Sequence, residues 1–162
     1  MSITVGPDPG TIEAGRGAGF LGRLFGSGSR SLTAAELAED HRNETLLAES
    51  LARHAVIVPY AALRERIQLI SEETRLSADA LATLILASGG SLLDVESRAS
   101  RSSDGLIEGV QSDLETIGLH RARYISLLRR VEPSLQPTIR RMIDQKERHR
   151  FDLRDVYVRL VR

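Results

Sequence analysis

The sequence predicts an all-α protein: a bundle of four long helices arranged as two antiparallel hairpins with a long crossover between them. Three observations predict it. Apolar residues recur at helical spacing through four segments, 34–57, 60–87, 104–131 and 134–161. No stretch alternates apolar and polar residues as a half-buried strand would. The three connections are also unequal. The first and third are very short, which holds consecutive helices antiparallel, whereas the middle one, Ser88 to Ser103, has 16 residues rich in Ser, Gly and Arg. Extended, that link reaches about 50 Å, and helices of this length span about 36–42 Å. The link is therefore long enough to cross the whole bundle, where an up-down-up-down arrangement would need only a short loop.

Each element has local signals. Residues 1–32 hold eight of the 13 Gly and two of the five Pro. Ordering such a segment costs more backbone entropy than its few apolar groups can offset. It reads as a flexible tail ahead of a helical domain at 33–162, with one apolar cluster from Phe20 to Phe25. Thr33-Ala-Ala-Glu36 is a capping box opening the first helix, with Glu36 at the positive end of its dipole. Pro59 divides the first pair of segments and Pro133 the second. Proline suits a helix opening and disrupts an interior. Pro137 falls in the first turn of the fourth segment, and Gly89-Gly90 supplies a stop for the second.

Composition narrows the function classes. The chain has no Cys, which excludes disulfides, thiolate nucleophiles and Cys-based metal sites. Its 22 basic and 22 acidic residues balance, which argues against a general nucleic-acid binder. No run of 18 apolar residues is present, so no membrane span is expected. The opening Met1-Ser-Ile-Thr-Val-Gly-Pro lacks a charged and then apolar leader, and the expected location is cytoplasmic. There is no Gly-rich phosphate loop and no His-Glu-x-x-His, and no catalytic residue is assigned. His41 and His54 read as ordinary helix-face residues. The last 34 residues carry ten basic and five acidic groups, which reads as a solvated basic helix face.

The inward stripes carry the functional signal. The first segment presents Leu37, Glu44, Ala48, Leu51, Ala55 and Val58. The second presents Leu63, Ile67, Ile70, Thr74, Ser77, Leu81 and Leu84. The third presents Ile107, Val110, Leu114, Ile117, Arg121, Tyr124, Leu128 and Val131. The fourth presents Leu135, Ile139, Met142, Lys146, His149, Leu153, Val156 and Leu160. Each stripe is interrupted near its middle by polar residues. Scattered surface charges would not interrupt all four at one height, whereas a shared polar chamber would. Its predicted members are Glu44, Thr74, Ser77, Arg121, Lys146 and His149. Of the 22 basic residues only Lys146 is lysine. A buried carboxylate needs a partner, and Lys146 is the expected partner of Glu44, with Thr74, Ser77 and His149 adding hydrogen bonds.

Several of these residues carry a resemblance. Asn43-Glu44 within His-Arg-Asn-Glu-Thr-Leu-Leu-Ala-Glu, followed by Arg53-His, Pro59-Tyr, Leu63-Arg-Glu-Arg, Ser71-Glu-Glu and Gly89-Gly, resembles the first hairpin of small bacterial ferritin-like, rubrerythrin-related proteins. Asp113-Leu-Glu, Tyr124, Leu127-Leu, Pro133 and Ile143-Asp-Gln-Lys-Glu-Arg-His149 resemble the second. The resemblance covers about 33–161. It implies a ferritin-like fold and a carboxylate-bridged di-iron site, with one Glu on each of two helices and Glu-x-x-His on each of the others. This chain departs from that ligand set. Glu44 matches the first Glu, but Thr74 and Ser77 occupy the second helix's pair. Ile117 falls at the third helix's Glu, with Glu115 turned outward. The fourth helix's pair is Lys146 and His149. A charged lysine has no lone pair and repels a cation. The resulting expectation is a non-catalytic, metal-poor interaction or structural module without a cofactor. It would be a homo-oligomer, a dimer through helix faces, with the tail addressing a protein partner or compartment. The alternative is an iron-binding protein or di-iron oxidase with a reorganised ligand set drawn from Glu44, Glu73, Glu115, His120 and His149.

Overall fold

The computed structural model describes residues 34–93 and 105–162. The Gly-rich tail, its Phe20–Phe25 cluster and the Thr33 end of the capping box lie outside the described residues. The described chain forms four helices, α1 Ala34–Ile57, α2 Ala61–Ala87, α3 Leu106–Leu128 and α4 Gln136–Leu160, with no strand among the described residues.

The helix ends follow the chemistry of their residues. At the α1–α2 turn, the Arg64 guanidinium donates to the Val58 carbonyl at 3.1 and 3.3 Å, taking up an acceptor that Pro59 leaves without a helical partner. α2 closes in a Schellman arrangement. The Gly90 N–H bonds Ile85 O at 2.9 Å, and the Gly89 N–H bonds Leu86 O at 3.1 Å. Gly89 has φ +76°, a conformation that glycine reaches without a Cβ penalty. Pro137 sits in the first turn of α4. α3 and α4 are shorter than the apolar periodicity suggests, because residues 129–135 form turns around Pro133.

The topology is that of two antiparallel hairpins, α1–α2 and α3–α4, set side by side. Polar contacts fix the remaining neighbours. Asp40–Arg123 joins α1 to α3, and Glu36–Arg130 joins α1 to the turn that follows α3, in antiparallel register. Glu73–His149 and Ser77–Gln145 do the same for α2 and α4. α2 ends beside the start of α1, where Gly90 lies against Ala34, and α3 begins beside the end of α1, where Gly109 lies against His54. α2 and α3 are therefore parallel, and the chain between them joins opposite ends of the bundle.

The core is in two parts. One gathers Leu47, Leu51, Ile67, Ile70, Val110, Ile117, Leu153 and Val156, and the other Leu37, Leu81, Ile85, Tyr124, Leu127, Ile139 and Met142. Full burial of each large aliphatic side chain contributes about 1.5–3 kcal/mol. The polar residues Glu44, Thr74, Lys146 and His149 lie between the two parts, all buried. Toward the helix ends the stripes rotate by one position. Ile85 and Leu127 are buried in place of Leu84 and Leu128, and Ile107 is exposed. A 3.6-residue helix drifts about 20° per seven-residue step, enough to shift the inward position over three turns or more.

His54 departs from its expected role as an ordinary helix-face residue. Its Nδ1 lies 2.6 Å from Asp113 Oδ2, and Ser50 Oγ donates to Asp113 Oδ1 at 2.7 Å. Asp113 is only 4% exposed, so this clasp satisfies a carboxylate that would otherwise be costly. The imidazole lies directly over Gly109, and a Cβ there would collide with the ring. Gly109→Ala is therefore expected to push His54 off Asp113 and lower stability by about 1–3 kcal/mol in urea unfolding. A neutral or stabilising result would show that the ring moves aside without losing its bond.

Candidate functional site

Glu44 is the centre of the polar layer. It sits seven residues from both Leu37 and Leu51, so the helix that buries those two must also bury it. Its side chain is 0% exposed. Oε2 accepts from Lys146 Nζ at 2.6 Å. Oε1 accepts from Tyr124 OH at 2.6 Å and lies 3.0 Å from His120 Nδ1. The carboxylate accepts only, so His120 carries its proton on Nδ1. Lys146 is likewise 0% exposed and reaches Glu44 across the bundle diagonal, from α4 to α1.

Electrostatics keep this pair ionic. Burial alone would raise the Glu44 carboxyl. The Lys146 charge and the bonds from His120 and Lys146 outweigh burial and hold it at about 2. Burial pulls Lys146 below its ordinary value, and the Glu44 charge opposes that pull. Burial raises Tyr124 well above the usual phenol range, and the adjacent Glu44 charge adds to the effect, so the phenol stays a donor.

The other predicted members are arranged differently. Thr74 is fully buried, but its Oγ1 has no hydrogen-bond partner among the described residues. Ser77 bonds Gln145 Oε1 at 2.7 Å and its own helix's Glu73 O at 3.2 Å. It fastens the α2–α4 seam and does not touch the pair. His149 Nε2 lies 2.7 Å from Glu73 Oε2, while Nδ1 is buried without a partner among the described residues. Burial lowers the His149 pKa below the usual imidazole value, the Glu73 bond pulling the other way, so the ring is neutral near pH 7.

Three expectations need correction. Arg121 is not in the chamber. Its side chain is 35% exposed, and its Nε lies 2.6 Å from Glu147 Oε2 at the α3–α4 edge. Position 121 lies between Ile117 and Tyr124 on the helix, but a guanidinium on a long stem reaches outward to water and a carboxylate. Glu115 is exposed and accepts from Gln111 Nε2 at 3.2 Å on its own helix, and it joins no metal-holding group among the described residues. The extra hydrogen bonds to Glu44 come from His120 and Tyr124 rather than from Thr74, Ser77 and His149.

Sequence reasoning also missed residues. Tyr124 lies on the inner stripe of α3, and only its hydroxyl marked it as more than packing. Asp40, 5% exposed, binds Arg123 Nε at 3.1 Å. Its carboxyl is raised by burial, with Arg123 opposing. Asp40 and His120 line a groove of about 430 Å³ between α1 and α3, together with Glu39, Asn43 and Thr116. A smaller groove of about 160 Å³ between α2 and α4 exposes Glu73 beside Arg148 and Asp152.

The residues present do not fit a di-iron centre. Such a centre needs carboxylate oxygens free to bridge cations, whereas both Glu44 oxygens already accept from three donors. The Lys146 ammonium lies at the middle of the layer and would repel a cation. Among the described residues, no group of three or more His, Asp or Glu is arranged to hold a metal ion. No described helix is long and apolar enough to cross a membrane.

Comparison with protein-family models, curated proteins and solved structures returns no match. The ferritin-like resemblance thus rests on the residues that carry it.

Proposed function

We propose that this chain is a ferritin-like bundle in which an internal ion pair takes the place of the metal centre, and that it acts as a non-catalytic structural or interaction module. The observation that carries the reading is the 2.6 Å contact between Lys146 Nζ and Glu44 Oε2, with both side chains fully buried at mid-bundle. The ammonium supplies the positive charge that cations supply in the proteins this sequence resembles. It needs no loading step and offers no open coordination position for chemistry.

The module works as a homo-dimer through a helix face in the cytoplasm. α2 supports this by exposing Leu69 and Leu76, seven residues apart on one face, at 56% and 65%. Residues 1–32 address a protein partner or a compartment, and co-purification with and without them tests that part. Neither nucleic acid nor membrane is a partner in this reading.

Elemental analysis tests the central claim. Protein purified from cells supplied with ferrous salt is expected to carry far less than one iron per chain and to show no ferrous oxidation above buffer. Stoichiometric iron would overturn the proposal in favour of the iron-binding alternative, with the Lys146 side chain displaced.

A further inference from the structure

We propose that the polar layer contains a built site for one neutral, water-sized molecule, held by Thr74, His149 and Lys146.

Thr74 is the first observation. Thr45, Ser77, Thr83 and Thr116 all turn their hydroxyls back to the carbonyl four residues earlier, at 2.9–3.2 Å. This is the common resting place for a helical hydroxyl. Thr74 makes no such bond, although it is 0% exposed and cannot reach solvent. Its hydroxyl is therefore held away from its own backbone.

His149 is the second. Its Nε2 faces the Glu73 carboxylate at 2.7 Å, so Nε2 carries the proton and Nδ1 is a bare acceptor. That acceptor is buried without a partner among the described residues, on a residue 2% exposed. Lys146 is the third. Its ammonium has three N–H groups, and among the described residues it donates only to Glu44. The Glu73–His149 and Ser77–Gln145 contacts set the α2–α4 register, which places Thr74 opposite the turn from Lys146 to His149.

These needs select the ligand class. A cation is repelled by Lys146, and an anion would face Glu44 and the His149 lone pair. A neutral molecule that both accepts and donates satisfies all three groups. It accepts from Lys146 and from the Thr74 hydroxyl, and it donates to His149 Nδ1. Three bonds are the usual complement of an internal water, and such waters settle on otherwise unpaired buried groups. With it in place, one hydrogen-bonded row crosses the bundle from Glu73 in the α2–α4 groove to His120 in the α1–α3 groove. It passes through His149, the bound molecule, Lys146 and Glu44.

The test is Thr74→Val, which keeps the shape and removes the hydroxyl, read by thermal unfolding and by oxygen-17 relaxation dispersion, which counts long-lived internal waters. With a water bound, Thr74→Val loses a satisfied hydrogen bond, so Tm falls by about 2–4 °C and the count drops by one. Thr74→Ser keeps the count. Without a ligand, the threonine hydroxyl is a buried unpaired group whose removal stabilises the fold. A Tm that stays level or rises, or a count unchanged in the valine variant, overturns the proposal.

Discussion

Replacing Lys146 by Met is expected to lower the free energy of unfolding by about 3–5 kcal/mol. The substitution is close to isosteric, so the cavity term is small. The loss comes from the partner left behind. Glu44 is 0% exposed, and without Lys146 its charge is supported only by Tyr124 and His120. Glu44→Leu is expected to cost a similar amount, because it strands the ammonium and also unpairs the Tyr124 hydroxyl and His120 Nδ1. The double variant should be far less damaged than the sum of the two. Buried ion pairs replaced together by apolar residues are often neutral, because the desolvation cost of both charges disappears with the attraction. A double-mutant cycle in urea should show the double variant losing no more than either single one, a coupling of at least about 3–5 kcal/mol. Additive losses would mean that the two side chains are held by other groups and that the 2.6 Å contact contributes nothing net.

This result also bears on how much of the molecule could be read before folding. The four helices were legible because their stripes are long and their breaks carry Pro or Gly. The crossover was legible from loop length alone. Glu44 and Lys146 were legible because each is a charge on an apolar stripe, and such a charge has to be matched inside. The error at Arg121 shows the limit of that logic. Angular position fixes where Cβ points, but a guanidinium four bonds further out chooses its own side of the seam. Lys146 stays inside because Glu44 waits across the diagonal, whereas the arginines of the same helix are exposed. Tyr124, Asp113 and His54 were missed for another reason. Their partners lie 59 to 80 residues away in the chain, and helical spacing says nothing about register between helices. His54 and Asp113 meet only because α1 and α3 run antiparallel, which nothing in either helix's own spacing announces.

Acid should unfold the protein through the same layer. Glu44 has a folded-state pKa of about 2 against an ordinary value of 4.5. A depressed carboxylate stabilises the fold fully above its unfolded value and loses that contribution as pH falls through its folded one. The difference is about 3 kcal/mol at 1.36 kcal/mol per pKa unit, removed between about pH 4.5 and pH 2. Glu73 is also depressed, despite partial burial, because His149 and Arg148 face it, so it acts with the same sign. His149 begins the decline earlier. Burial lowers its pKa below 6.5, so the unfolded chain takes up the proton first and stability falls as pH drops from that value. Asp40 opposes the trend, since burial raises its carboxyl and protonation there relieves the fold. Urea unfolding from pH 7 to pH 2 should therefore show a shallow loss below pH 6.5 and a steep one below pH 4.5. In Glu44→Gln the steep part should flatten by about one proton, although the variant starts less stable. Carbon-13 NMR of the wild-type carboxylates supplies the site-specific check. If Glu44 titrates near 4.5, the ammonium does not reach it in solution, and the polar layer is held together by something other than that pair.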